Sequence, residues 1–312
     1  MNELSVLRRA LQWCEDGHQT VLATVVRTWG SAPRRVGSHM AIRDGGDFEG
    51  SVSGGCVEGA TIQAAQEVLH TGESRQIAFG VSTEDAWTVG LACGGEIEII
   101  LTPVDTALLT EVTQAITARK PIQVCWHQDN AQVEPLTRHH GKAVDTSADA
   151  VIRRYPPRLR MAIVGASHIA QALAPMAALL DYAVHVVDPR SAFTAANRWP
   201  NAKVHTTYAD EWVEDFPLDS HTAVVVLSHD PKIDDPGLEA ALSSNAFYIG
   251  ALGSRRSHAA RRARLSEAGH PPEALDRIHG PVGLDIGAAT PAEIATAILA
   301  ECTQVLRKGQ PE

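Results

Sequence analysis

Two cysteines in the first half of the chain stand beside glycine pairs. Cys56 follows the pair 54–55, and Cys93 precedes the pair 94–95. The sequence predicts that a short strand over 48–53 ends at the first pair and that a helix begins at Cys56. Glycine leaves the backbone N–H groups uncovered, and the start of a helix adds unpaired donors and a positive dipole end. Such a turn could bind an anion, and a thiol there could act as a soft metal ligand or a nucleophile.

The alternative for an isolated cysteine is a buried structural role, because free cysteine behaves mostly as a small apolar residue. Two glycine-flanked cysteines in one domain favour a site, since two thiolates from separate loops suit a sulfur-loving metal or its cofactor. Arg34 and Arg35 precede a predicted hairpin. They could turn toward a bound anion or stay as solvated loop charges.

Composition restricts the classes of protein. A length of 312 residues suits two domains, and a net charge of −10 argues against nucleic acid or an anionic membrane as the main partner. The five cysteines are scattered without CxxC pairs, which is typical of a cytoplasmic protein and excludes a zinc ribbon or a disulfide framework. No signal peptide or membrane span is predicted.

The hydrophobic pattern predicts an α/β protein with three regions. Residues 1–130 form a mixed α/β domain, 131–158 form a linker because the pattern is weak and two prolines end it, and 159–312 form a Rossmann-like domain. The last region alternates strands and helices, as a doubly wound parallel sheet requires.

The Rossmann-like region has an altered glycine fingerprint. Gly165-Ala-Ser-His-Ile-Ala170 follows the first strand as GxSxxA instead of GxGxxG, and Asp188 ends the second strand where an acid would hold a ribose. Nucleotide binding, including NAD(P), therefore stays open. Gly253-Ser-Arg255 begins another helix that could receive an anion. Arg261, Arg262 and Arg264, further along that helix, are interpreted as a solvated basic face.

The assembled motifs resemble the xanthine dehydrogenase accessory proteins of the XdhC/CoxI group. The motifs are Thr28-Trp-Gly-Ser-Ala-Pro33, Gly50-Ser-Val-Ser-Gly-Gly-Cys-Val-Glu58, Leu91-Ala-Cys-Gly-Gly95, the Gly165 loop, Gly250-Ala-Leu-Gly-Ser-Arg255, and Pro281-Val-Gly-Leu-Asp-Ile-Gly287 with Thr290-Pro-Ala-Glu293.

The resemblance implies a cytoplasmic, homodimeric chaperone that is not itself an enzyme. It would bind the molybdenum cofactor, in a mononucleotide or dinucleotide form, while a cysteine desulfurase supplies sulfur. It would then insert the cofactor into a molybdenum hydroxylase of the xanthine dehydrogenase or aldehyde oxidoreductase type. Ser167 departs from many relatives, which have a glycine there.

On this interpretation Cys56 is the first candidate for a contact with molybdenum and Cys93 the second, and no residue is assigned as catalytic. The candidate cofactor-binding residues are Arg34, Gly54, Gly55, Cys56, Glu58, Cys93, Gly94, Gly95, Gly165, Ser167, His168, Asp188, Gly253, Ser254 and Arg255.

Two rival hypotheses use the same residues. The first is an NAD(P)-dependent oxidoreductase with Cys56 as its reactive thiol. The second is a sulfur carrier in which Cys56 holds a persulfide destined for molybdenum.

Overall fold

The structure is a computed structural model that describes residues 3–30, 34–80, 95–127, 130–135, 143–146 and 150–308. The chain divides into two compact units, which separate between Pro157 and Arg158. Each unit has its own sheets and its own hydrophobic core. The mixed α/β architecture with a Rossmann-like second half confirms the predicted fold class.

The first unit combines three helices with two antiparallel sheets in the part of the chain that is described. Its helices are α1 (Glu3–Glu15), α2 (Glu58–Thr71) and α3 (Thr106–Thr117). Its strands are β1 (Thr20–Trp29), β2 (His39–Arg43), β3 (Phe48–Gly50), β4 (Arg75–Phe79), β5 (Glu96–Val104), β6 (Ile122–His127), β7 (Asn130–Pro135), β8 (Val144–Thr146) and β9 (Val151–Tyr155). The described strands pair in the orders β3-β2-β1-β5-β4 and β7-β6-β9-β8.

Strand β1 is the centre of this unit. Val21, Ala23 and Val25 pack on one face, with α2, while Leu22 and Val26 pack on the other, with α1 and α3. Because alternate side chains of a strand point to opposite faces, burial on both faces explains the unbroken apolar run. The loop that carries Cys56 joins β3, at the edge of this sheet, to α2.

The predicted linker over 131–158 differs from the structure. Strands β8 and β9 and nearly all of β7 fall within it, and β9 pairs along its whole length with residues 122–126 of β6. In β9, Val151-Ile-Arg-Arg-Tyr155, burial alternates along the strand and the buried positions are Val151, Arg153 and Tyr155. Because one of the buried residues is an arginine, the alternation of apolar and polar residues that marks a strand is not visible in the sequence. The boundary at the prolines agrees with the division of the chain into units.

The second unit is a parallel sheet with helices on both faces. Its described strands are β10 (Arg160–Val164), β11 (Ala183–Val187), β12 (Lys203–His205), β13 (Thr222–Val226), β14 (Tyr248–Ala251) and β15 (Ile278–His279). Its described helices are α4 (His168–Leu179), α5 (Ala209–Asp215), α6 (Pro231–Leu242), α7 (Arg255–Glu267), α8 (Pro272–Leu275) and α9 (Pro291–Lys308).

The order β12-β11-β10-β13-β14-β15 is that of a Rossmann sheet. Chain order reverses between β10 and β13, so the crevice that such folds use for ligands opens beyond the carboxyl ends of these two strands. At the start of α9, Glu293 N–H donates to Thr290 Oγ1 at 3.3 Å and Thr290 N–H donates to Glu293 Oε2 at 2.8 Å. This arrangement is the capping box that the sequence predicts.

Candidate functional site

The side chain of Cys56 is exposed on a short loop between β3 and α2. Val52 and Val57, on either side of the glycine pair, are buried in the core beneath it. The helix begins at Glu58 and not at Cys56, so the thiol lies on the loop just before the first turn. The chain thus holds the loop at two apolar anchors and leaves the thiol accessible from solvent.

The carboxylate of Glu58 fills the concave side of this loop. Its Oε1 accepts from Ser51 Oγ at 2.6 Å and from the N–H groups of Ser53 at 2.9 Å and Gly54 at 3.0 Å. Its Oε2 accepts from Ser53 Oγ at 2.5 Å and from Gly55 N–H at 2.8 Å. We call residues 51–58, closed by these five hydrogen bonds, the Glu58 loop.

Both glycines of the pair have positive φ angles, 85° at Gly54 and 122° at Gly55, which direct successive N–H groups toward one point. Burial raises the pKa of the Glu58 carboxyl, but the hydrogen bonds from Ser51 and Ser53 and from the backbone outweigh burial and lower it to about 2. Glu58 is therefore ionised at neutral pH, and it also lies at the favourable end of the α2 dipole.

The N–H groups of Gly54 and Gly55 already have an acceptor within the chain. Their N–H groups, expected to cradle a cofactor anion, donate to the carboxylate of the chain itself. Glu58 is thus a support for the loop. The sequence contains a signal for this role, because a glutamate stands three residues after the glycine pair. The same residues also resemble a turn that binds a ligand, and the sequence does not separate the two roles. Of the loop residues, Cys56 keeps a reactive side chain exposed.

The structure describes only some of the remaining candidates of the first unit. Cys93 and Gly94 lie outside the described residues, and Gly95 is buried at the start of β5. Arg34 is half-buried. Cys125 is buried, as its predicted packing role requires. Within the described ranges, no group of three His, Cys, Asp or Glu side chains is arranged to hold a metal ion, and no helix is long and apolar enough to cross a membrane.

In the second unit, Gly165 follows β10 at the switch point of the sheet. It has a φ of 95°, and a Cβ there would lie 2.6 Å from the backbone nitrogen of Ser228, which follows β13. The two loops therefore touch at Gly165, and the glycine is required by close packing.

We expect Gly165→Ala to destabilise the second unit by about 2 kcal/mol, from overpacking together with the positive φ. Gly269→Ala is the matched control, because Gly269 has a φ of 98° with no atom within 4 Å of its Cβ position, and should cost about 1 kcal/mol. Calorimetry of both variants separates the free energy lost through overpacking from the free energy lost through the positive φ angle. Equal losses in the two variants would contradict the close contact.

The predicted ribose acid has other partners. Asp188 is fully buried and accepts from Ala166 N–H at 2.7 Å, from Arg190 N–H and Nε at 2.9 Å, and from Arg190 Nη2 at 2.7 Å. Burial raises its pKa, but the bonds from Arg190 and Ala166 outweigh burial and lower the pKa below its ordinary value. Asp188 therefore links the loop after β10 to the residues after β11. Its carboxylate oxygens already accept hydrogen bonds from the chain, unlike those of an acid that is free to bind a ribose.

Ser167 and His168 stand at the start of α4. Ser167 caps the helix, since its Oγ accepts from Ala170 N–H at 3.3 Å. The ring of His168 is exposed. A capping serine occupies the place where the backbone of a GxGxxG loop approaches a pyrophosphate, so this loop differs from a dinucleotide cradle in geometry as well as in sequence.

Helix α7 begins beyond the carboxyl end of β14. Ser254 caps it by accepting from Ser257 N–H at 3.1 Å, Gly253 precedes the cap with a φ of 140°, and Arg255 is exposed. The predicted basic face further along is wrong for one residue. Arg261 is only 5% exposed, whereas Arg262 and Arg264 form ion pairs with Asp276 and Asp235.

Each unit of the chain matches a model of a known protein family. Residues 13–80 match the family model described as the XdhC and CoxI family, and residues 161–302 match the model described as the XdhC Rossmann domain.

Similar proteins extend over nearly the whole chain. The chain is 32% identical to the molybdenum cofactor insertion chaperone PaoD of Escherichia coli, over 96% of this chain and 88% of PaoD. It is 29% identical to a probable xanthine dehydrogenase subunit of Bacillus subtilis, over 94% and 95% of the two chains. A crystal structure from Bacillus halodurans, described as a xanthine dehydrogenase, superposes with a TM-score of 0.76 at 25% identity, covering 99% of this chain and 96% of that one.

Proposed function

Because the chain belongs to the XdhC and CoxI family, we propose that it is a chaperone that binds the molybdenum cofactor and inserts it into a molybdenum hydroxylase. The similarity to PaoD over almost the full length of both chains supports cofactor insertion as the task. The similarity to a protein named for xanthine dehydrogenase supports a hydroxylase of that type as the client.

The observation that carries the proposal is the exposed thiol of Cys56 on the Glu58 loop. A thiolate is a soft ligand suited to a metal that already carries sulfur. A carrier must release what it holds, so a single thiolate on an open loop suits delivery better than a closed set of ligands. The fixed backbone of the loop also lowers the entropy that binding would otherwise cost.

Within this proposal the cofactor is cargo, held while a cysteine desulfurase provides the sulfur of the metal centre. The protein acts in the cytoplasm as a homodimer and catalyses no turnover of its own. The geometry of Ser167 and Asp188 favours this assignment over an NAD(P)-dependent oxidoreductase, because the ribose acid and the helix start both have partners within the chain.

The test is anaerobic titration of the full chain with molybdenum cofactor, followed by transfer to a cofactor-free xanthine dehydrogenase. We expect roughly stoichiometric binding and recovery of hydroxylase activity in proportion to the loaded chaperone. Serum albumin loaded in the same way is the control for release of free cofactor. Absence of binding, or hydroxylase activation equal to that obtained with albumin, would contradict the proposed chaperone function.

An exposed thiol also suits a sulfur carrier, which is the second candidate. Mass spectrometry after incubation with a cysteine desulfurase and cysteine distinguishes the two roles. A persulfide on Cys56 that disappears as the cofactor gains sulfur would favour the carrier. Intact delivery with Cys56 unmodified favours a ligand that only holds the cofactor.

A further inference from the structure

Helix α7 carries an unusual concentration of buried nitrogen atoms without hydrogen-bond partners. Among the residues that the structure describes, seven buried side-chain nitrogen or oxygen atoms lack a partner, and three of them are on this helix: Nδ1 of His258 and both Nε and Nη1 of Arg261. A buried donor without an acceptor is costly, and a charged one more so. Within that part of the chain, two of the three guanidinium nitrogens of Arg261 therefore lack a partner, and its charge stays uncompensated by contact.

The guanidinium of Arg261 lies beneath the start of the helix. Its Nη2 donates to the carbonyl oxygen of Leu252 at 2.7 Å and lies 3.8 Å from the position of a Cβ on Gly253. The side chain thus runs back along the helix toward the N-terminus, as helical side chains do. It places a full positive charge next to the residues that precede the first turn.

The first turn itself is open to solvent. Ser254 and Ser257 are exposed, and their hydroxyl oxygens lie 2.9 Å apart. The N–H groups of residues 255 and 256 have no acceptor within the helix, and the dipole of this 13-residue helix adds positive potential at the same place. Backbone donors, two hydroxyls and a buried cation therefore converge there.

Nearby carboxylates do not neutralise Arg261 by contact. Arg261 forms no ion pair in the part of the chain that is described. Asp235 is paired with Arg264, and Asp234 accepts from Ser228 N–H at 3.1 Å and from Ser228 Oγ at 2.6 Å. Burial lowers the pKa of Arg261, and the negative charges of Asp234 and Asp235 act on it in the opposite sense from a distance.

We propose that the first turn of α7 binds a phosphate group of a small molecule, with Arg261 as the charge that holds it. A phosphate on the exposed turn accepts from the free backbone donors and from Ser254 and Ser257. Its charge then lies close to a guanidinium that water screens poorly, which strengthens the attraction. The site is separate from the loop after β10 that Rossmann folds use for a pyrophosphate.

The sequence predicts Gly253, Ser254 and Arg255 as contacts of the molybdenum cofactor, so phosphate binding is tested with molecules that contain no molybdenum. It can then fail or succeed apart from the chaperone function. The probes are inorganic phosphate, cytidine monophosphate and NAD, each added to the full chain in chloride buffer and followed by calorimetric titration. Saturable binding of inorganic phosphate shows the bare anion site. Tighter binding of the monophosphate or of NAD shows which kind of molecule carries the phosphate.

The deciding variant is Arg261→Met, which keeps an unbranched side chain and removes the guanidinium with its charge. We expect phosphate affinity to fall about 10-fold or more, while the ligand-free protein unfolds at an equal or higher temperature because an unpaired buried charge is gone. Arg262→Gln is the control, since it removes the same charge one residue away, where the side chain is paired with Asp276, and should leave affinity within about 2-fold.

Two results would overturn the proposal. One is that the wild-type chain binds none of the three probes at millimolar concentration. The other is that Arg261→Met binds phosphate as tightly as the wild type, or that Arg262→Gln loses as much affinity as Arg261→Met. If Arg261→Met does not fold, Arg261→Gln replaces it under the same criteria.

Discussion

Replacing Cys56 by alanine is expected to weaken binding of the molybdenum cofactor by about 100-fold or more, because the change removes the soft ligand from the loop. Even the loss of a residue that only orients a metal ligand costs about 10- to 100-fold in affinity. The fold should be unaffected, since the side chain is exposed and packs into no core cluster. Anaerobic titration with cofactor, monitored by its absorbance, measures the loss.

Cys14→Ala is the matched control, because Cys14 is a free, half-buried cysteine on α1 of the same unit. It should bind the cofactor as the wild type does. Cys93→Ala tests Cys93, which the sequence predicts as the second candidate for a contact with molybdenum. Full affinity in the Cys56 variant together with lost affinity in the Cys93 variant would transfer the role to Cys93.

Replacing Glu58 by glutamine is expected to destabilise the first unit by about 3 kcal/mol. The carboxylate accepts from five donors, and a glutamine amide group would direct its own N–H groups at some of them. The difference between the ordinary pKa of 4.5 and the folded value of about 2 corresponds to a similar energy. We expect faster hydrogen exchange at the amides of Ser53, Gly54 and Gly55, and cofactor affinity lower by about 10-fold because the loop is no longer fixed.

Glu67→Gln is the control for Glu58→Gln. Glu67 lies on α2 and pairs with Arg75 on the surface, so its loss should cost no more than about 1 kcal/mol. Unchanged exchange at the three loop amides in Glu58→Gln would show that the carboxylate does not hold the loop.

Lowering the pH should reduce the loss of stability caused by Glu58→Gln over a defined pH range. Because folding lowers the pKa of Glu58, its stabilisation is fully present above about 4.5 and is lost as pH falls toward about 2. The difference in unfolding free energy between wild type and Glu58→Gln should therefore shrink across this range. Urea titrations at several pH values measure it, and a constant difference between pH 7 and pH 3 would contradict the assignment.

Much of the architecture could be predicted from the sequence. The alternation of strands and helices after Leu159 gives a Rossmann-like sheet, since period and turn residues are local signals. The capping box at Thr290 was predictable for the same reason. The strands over 131–155 were missed because β9 buries Arg153 between Val151 and Tyr155, so the apolar period is interrupted by a charge.

The site was predictable in part. Glycine pairs and Cys56 mark a special loop, but which anion fills it depends on where a side chain folds back in three dimensions. Glu58 and a bound phosphate would satisfy the same N–H groups, and sequence spacing does not separate them. Arg261 was interpreted as a surface charge for a similar reason. It stands beside Arg262 and near Arg264 in the chain, and its burial follows from the packing of α7 on the sheet.

We propose that the thiol of Cys56 contacts the molybdenum of the bound cofactor. X-ray absorption at the molybdenum edge of the loaded full chain, compared with loaded Cys56→Ala, tests it most directly. We expect one more sulfur neighbour of molybdenum in the wild type than in the variant. Equal numbers of sulfur neighbours in the two samples would contradict it.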